Sequence, residues 1–240
     1  MLYAVLGDIH ANLHALDAVL EDVECAGADR VVCVGDVVGY GAYPEECLER
    51  VREREMLIVG GNHDWAVAGK VPIRYFNADA RDAVEWTRDH LDQPQLERLG
   101  EADLTITVDD FTLFHSTLFA PEEFDYLQTM FDIRLCFKHL QTRLGFCGHS
   151  HVPVMLVENE EIDCLLTPEL ELRPDRRAII NVGSVGQPRD FDPRASYVLY
   201  DDQEQRVYLR RVEYDLHSAS ESILQAGLPI TNARRLILGR

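Results

Sequence analysis

The chain has 240 residues, a formal net charge of −19 at pH 7 and 46% hydrophobic residues. That length and apolar content support a sizeable core in one large domain or two small ones. The acidic balance speaks against a broad basic face for nucleic acid, and no run of about 18 uncharged apolar residues is available for a membrane span.

The first residues, Met1 to Gly7, carry no basic segment and no cleavage signature, so a cytoplasmic protein is expected. Leu2 to Leu6 reads as a buried strand that stops at Gly7-Asp8. Leu13, Leu16, Val19, Leu20 and Val23 recur at helical spacing. Val31 to Val34 is a second strand run ending at Gly35-Asp36. Pro44 suits the first turn of a helix that carries Cys47, Leu48 and Val51. Leu57 to Val59 is a third strand run, stopped by Gly60-Gly61-Asn62. This βαβαβ order predicts parallel strands with right-handed crossovers.

A helix capped by Asn77 is expected to bury Ala83, Val84, Thr87 and Leu91. From there the strands read as antiparallel. Leu104 to Val108 and Phe111 to Phe114 flank Asp109-Asp110, a hairpin signal. Helix is expected between Glu122 and Leu140. Leu144 to Cys147, Val152 to Val157 and Ala178 to Val182 read as strands, and Tyr197 to Tyr200 and Val207 to Val212 flank a polar turn. With no repeat, low-complexity tract or linker, one α/β domain spanning 1–240, with more than one sheet, is expected. The six cysteines form no C-x-x-C pair, and free buried thiols are expected. No segment specifies an oligomeric state.

The chemistry-bearing residues fall just after strands. Asp8 and His10 follow the first, Asp36 the second, Asn62 and His63 the third, His115 the hairpin, and His149 and His151 the strand at Leu144. A single Asp or His at a strand end is usually a cap or loop residue. Five successive strand ends each delivering metal-type ligands, mostly after glycine, are a different matter, because open α/β sheets bind ligands beyond the carboxyl ends of their strands. His14, His90, His139 and His217 match no such pattern and read as ordinary surface or core residues.

Gly7-Asp8-Ile9-His10, Gly35-Asp36, Gly61-Asn62-His63-Asp64, Phe114-His115 and Gly148-His149-Ser150-His151 together resemble the calcineurin-like metallophosphoesterases, over nearly the whole chain. Val38-Gly39-Tyr40-Gly41, Phe76-Asn77, Trp86-Thr87-Arg88 and the run from Gly183 to Arg189 are similar to the bacterial and archaeal branch of phosphodiesterases and diadenosine-tetraphosphatase-related proteins. The resemblance implies a sandwich of two mixed β-sheets flanked by helices, four layers in the order αββα. It implies one metal held by Asp8, His10, Asp36 and His151, and another by Asp36, Asn62, His115 and His149, with Asp36 bridging. Two divalent ions bring +4 and the two aspartates remove two, leaving a site attractive to phosphate. Nitrogen and oxygen donors suit Mn, Fe, Zn, Co or Ni better than Ca.

The implied activity is hydrolysis of a small or nucleotide-type phosphate ester by a metal-bridging hydroxide. Asp36 and His63 are the implied catalytic residues, His63 acting on the leaving oxygen. Arg189, Asn62 and His63 are the implied substrate contacts. The GDxxDRG stretch that supplies an orienting aspartate in some relatives is replaced here by Val37 to Gly41, so the partner of His63 stays open, with Asp64 the adjacent carboxylate. Ala11 and Ser116 stand where relatives often carry glycine. Tyr40, Phe119, Phe124 and Tyr126 are assigned to core packing rather than to stacking on a base. Two further functions stay open: a protein serine/threonine phosphatase, against which the missing GDxxDRG argues, and a silent scaffold like the retromer subunit of this fold, against which the full ligand set argues.

Overall fold

Strand β1 (Leu2–Leu6) is the centre from which the rest of the architecture follows in a computed structural model that describes residues 1–240. Its side chains alternate between two faces, as a pleated strand requires. Ala4 and Leu6 join a core shared with the helices, whereas Tyr3 and Val5 point into a second core between two sheets. In helix α1 (Leu13–Ala26) the buried residues are Ala15, Leu16, Val19, Leu20 and Val23; four of these belong to the stripe read from the sequence, whose fifth member, Leu13, is half-buried. Asn12 caps it by accepting from the Ala15 amide at 3.1 Å.

The chain then runs through β2 (Arg30–Cys33), α2 (Pro44–Glu53), β3 (Leu57–Ile58), α3 (Asn62–Val67), α4 (Ala78–His90) and α5 (Gln93–Glu101). Pro44 sits in the first turn of α2, and the Asn77 side chain caps α4. The hairpin β4 (Thr105–Val108) and β5 (Phe111–Phe114) precedes α6 (Met130–His139), β6 (Leu144–Cys147), β7 (Val154–Glu158), β8 (Ile162–Leu165), β9 (Glu169–Glu171) and β10 (Ala178–Asn181). The hairpin β11 (Ala195–Asp201) and β12 (Arg206–Val212) is followed by α7 (Leu216–Gln225) and α8 (Ile230–Leu238).

These strands form two six-stranded mixed sheets, ordered β3-β2-β1-β11-β12-β9 and β4-β5-β6-β10-β7-β8. Between them lie Tyr3, Val5, Phe111, Phe146, Ile180 and Tyr200 from both sheets. Helix α1 covers the outer face of the first sheet, and α6 covers that of the second through Ile133, Cys136 and Phe137. The four-layer αββα sandwich is therefore observed.

Three expectations need correction. The later strands are not simply antiparallel: β5 and β10 both run parallel to β6, which puts the carboxyl ends of β5 and β6 on one edge. Cys33, Cys47, Cys136 and Cys147 are buried, but Cys25 and Cys164 are exposed; all six are free. Tyr40 and Phe124 are buried, whereas Phe119 and Tyr126 are 49% and 42% exposed, because the loop carrying them lies over the surface rather than in a core. No helix is long and apolar enough to cross a membrane.

Candidate metal centre

The strand ends that carry the candidate ligands converge. Asp8, His10 and His151 form one group in which the ligand atoms all lie within 4.8 Å of one another, and Asp36, His115 and His149 form a second. All six are buried. Asn62, at the start of α3, places its side-chain oxygen 3.1 Å from His115 Nε2. The seven sequence-predicted ligands thus meet in one place, while His14, His90, His139 and His217 lie outside both groups.

Asp36, a member of the second group, also faces the first. Its Oδ2 lies 3.6 Å from His10 Nε2 and 3.4 Å from His115 Nε2. Its Oδ1 is occupied elsewhere, accepting from the His63 backbone amide at 2.8 Å. Asp8 Oδ1 lies 3.4 Å from His151 Nε2, and the Asp8 carboxylate also accepts from the His149 amide at 3.1 Å.

The tautomers follow from the outer partners. His10 Nδ1 faces the Val38 carbonyl at 3.1 Å, His115 Nδ1 that of Val34 at 2.8 Å and His151 Nδ1 that of Gln187 at 2.6 Å. A carbonyl accepts only, so each of these Nδ1 atoms carries a proton, and the neutral rings of His10 and His151 turn a bare lone pair inwards from Nε2. His10 Nε2 and His151 Nε2 then stand 3.0 Å apart, lone pair to lone pair, beside a carboxylate. His115 Nε2 stands 3.1 Å from His149 Nδ1, and Asn62 Oδ1 and Asp36 Oδ2 face it at 3.1 and 3.4 Å. Such convergence of acceptors is repulsive unless a cation lies among them. The donor set therefore fits two divalent ions.

Charge regulation agrees with this at His10, His149, His151 and Asp36, whereas Asp8 and His115 are pushed towards their protonated forms. Burial pushes Asp8 up, holds His10 and His151 well below the usual imidazole range, and takes His149 down to about 3. Burial also works to raise Asp36, yet facing His115 and His63 holds its carboxyl well below the usual range. Desolvation opposes charge on His115, but Asp36 beside it raises the ring to about 9. Neutral imidazoles and ionised carboxylates are the forms that bind transition metals, so ions bound here would displace the protons that Asp8 and His115 favour.

Backbone strain marks the same loops. Asp8, His10, Asp36, His149 and His151, five of the seven candidate ligands, have φ between 50° and 67°. Each such non-glycine residue costs on the order of 1–3 kcal/mol and persists where surrounding contacts over-determine it. Ala11 has φ of 51°, so it keeps the conformation that glycine would favour. Gly61 is required by close approach, since an added Cβ would collide with Asp36 Oδ1.

His63 is held in an unexpected way. No carboxylate orients its ring, and its buried Nδ1 has no hydrogen-bond partner. Instead the ring packs 4.4 Å from Tyr40, 4.9 Å from His10 and 5.0 Å from Phe76. Gly39, with φ of 92°, leaves the space, because a Cβ there would sit 2.6 Å from His63 Nδ1. Burial lowers His63 to about 4. Asp64 serves another purpose: it accepts from the backbone amides of Asp36 at 2.8 Å, Gly61 at 3.1 Å and Val38 at 3.2 Å. Its place in the Gly-Asn-His-Asp run was the only sequence signal for that role.

Arg189 is half-buried at the edge of the centre and has only neutral side-chain partners, Gln187 Oε1 at 3.1 Å and Tyr40 Oη at 3.4 Å. Its charge acts on Asp8, His10, His149 and His151.

Residues 1–205 match the family model of the calcineurin-like phosphoesterase superfamily domain. The chain is 39% identical over 244 residues to an uncharacterised protein of Methanocaldococcus jannaschii, covering 100% of this chain and 98% of that one. It superposes on the crystal structure of a metallophosphoesterase from Sphaerobacter thermophilus with a TM-score of 0.88 and 38% identity, over 100% and 99% of the two chains. A hypothetical protein from Pyrococcus horikoshii shares the fold, with a TM-score of 0.80 and 18% identity over 100% and 98%.

Proposed function

The chain belongs to the calcineurin-like phosphoesterase superfamily, whose members are metal-dependent phosphoester hydrolases, and on that premise we propose that it is a two-metal hydrolase of small or nucleotide-type phosphate esters. The observation that carries the two-metal reading is Asp36 Oδ2 standing within 3.6 Å of an inward Nε2 from each group. Asp8, His10, Asp36 and His151 would hold one ion, and Asp36, Asn62, His115 and His149 the other. Two divalent ions, when bound, supply Lewis acidity towards phosphoryl oxygens and lower the pKa of a bound water.

The chain's own residues do the rest. The carbonyls of Val34, Val38 and Gln187 fix three imidazoles in the tautomer that presents Nε2. Arg189, free of any carboxylate, offers its charge to a phosphate oxygen. His63 is neutral before substrate arrives. A phosphate anion beside the ring raises its pKa, and the ring then holds a proton for the departing ester oxygen. Tyr40, Phe76 and the absent Gly39 side chain keep it in place. The retention of all seven candidate ligands and His63 supports an enzyme over a silent scaffold.

The test is hydrolysis of bis-p-nitrophenyl phosphate against p-nitrophenyl phosphate by metal-stripped protein re-supplied with Mn, Ni, Co, Zn or Mg. Metal-dependent turnover is expected, with two ions per chain by elemental analysis. Full activity in metal-free protein would defeat the proposal.

A further inference from the structure

Beside the His149 end of the centre lies a cavity of about 220 Å³. Leu127, Ile133, Val154 and Leu156 supply apolar wall, and no lysine, arginine, aspartate or glutamate lines it. Two wall residues, Ser116 and His149, are 4% and 7% exposed, and Ser116 Oγ and His149 Nε2 are buried without a hydrogen-bond partner. His149 turns Nδ1 towards His115, so Nε2 is its outward nitrogen. Buried polar groups left unpaired are costly and call for a partner. Tyr126 forms part of the wall and stacks on the His149 ring at 4.0 Å, linking cavity and centre.

We propose that this cavity receives the organic arm of a phosphodiester that stays on phosphorus during hydrolysis, an uncharged ring-sized group with hydrogen-bonding capacity. This rests on the two-metal hydrolase reading of the adjoining centre. Lack of charge in the wall rules against a second phosphate. The volume is below that of a pocket for a drug-sized molecule, roughly 300–1,000 Å³, and suits a single ring. His63, which serves the departing oxygen, packs on His10, Tyr40 and Phe76, and none of these lines the cavity. The arm in the cavity is accordingly the retained one, and the preferred substrate is a diester.

Methyl p-nitrophenyl phosphate and phenyl p-nitrophenyl phosphate share a leaving group and differ only in the retained arm. With manganese-loaded protein, KM for the phenyl ester should be lower by about tenfold or more, as expected for a ring buried in a matching pocket. Cys164, an exposed residue of the cavity wall, gives the variant Cys164→Trp, which should bring the two KM values together. A second readout needs no turnover. Diphenyl phosphate should slow alkylation of Cys164 by N-ethylmaleimide, with exposed Cys25 on α1 as the internal reference, and dimethyl phosphate should slow neither. Equal KM values in the unsubstituted protein, or Cys164 alkylation indifferent to diphenyl phosphate, overturn the assignment. No turnover of either ester with Cys164 still protected would count against the hydrolase reading and support the cavity as a ligand site.

Discussion

Asp36 accepts a hydrogen bond from the His63 backbone amide through Oδ1 at 2.8 Å, which frees Oδ2 to face both ligand groups. One carboxylate thereby ties the candidate metal centre to the start of the segment that carries His63. Asp36→Asn keeps the shape and removes the charge that two cations would share. Metal content should fall below two ions per chain, and turnover should drop on the order of 10²-fold or more. Elemental analysis of the purified variant checks this, and two retained ions with full turnover would remove Asp36 from its bridging role.

His63→Ala should leave metal content intact, because the His63 ring belongs to neither ligand group. Turnover should fall by about 10²–10⁴-fold, the usual contribution of a positioned proton donor. The loss should be largest for alkyl esters, whose leaving oxygens are most basic, and smallest for p-nitrophenyl esters. A linear free-energy plot across leaving groups reads the difference, and parallel lines for wild type and variant would argue against proton donation.

Much of this centre was legible in the sequence because strand ends obey strong local rules. Each ligand follows a short apolar run, and glycine precedes Asp8, Asp36, Asn62 and His149. The burial of β1, and of Leu16, Val19, Leu20 and Val23 on α1, follows the apolar spacing. The parallel pairing of β5 and β10 with β6 escaped detection, since hairpin signals speak only for sequence neighbours. Helices α7 and α8 and the short strands β8 and β9 also went unread; β8 and β9 are half-exposed, without a buried run. The support of His63 was illegible because aromatic packing on Tyr40 and Phe76 depends on tertiary placement, and a search for an orienting carboxylate pointed elsewhere.

The first sheet offers a prediction about acid. Asp22 on α1 accepts from Arg210 at 2.8 Å and from the Tyr197 hydroxyl at 2.6 Å, and the Arg210 bond foremost lowers its pKa. A depressed carboxylate pKa means that the stabilisation is present above the unfolded value, about 3.9, and is lost as pH falls through the folded value. The pair is partly exposed and screened, so Asp22→Asn should cost about 1 kcal/mol at pH 7. Urea titrations should show that difference shrinking below about pH 4. A difference that grows with acid would contradict the assignment.

Asp64 contacts no ring of the centre, yet its carboxylate gathers three buried amides, those of Asp36, Val38 and Gly61. Burial pushes its pKa up to about 7, so these bonds are what favour the ionised form. Asp64→Ala strands three donors in the interior beside a residue already held at φ of 53°. The cost should be about 3 kcal/mol or more, the scale of several unsatisfied buried groups. Asp36 would lose the contact that fixes its backbone, and the affinity for both ions should weaken together by about 10–100-fold, as when an outer partner of a metal ligand is removed. Asp64→Asn keeps one acceptor oxygen and should recover part of both losses. Thermal unfolding with and without manganese separates the two effects: the variants should be destabilised in chelator and should gain less from added metal than the wild type. An Asp64→Ala protein that binds two ions as tightly as wild type would show that the Asp36 loop holds its shape without this carboxylate.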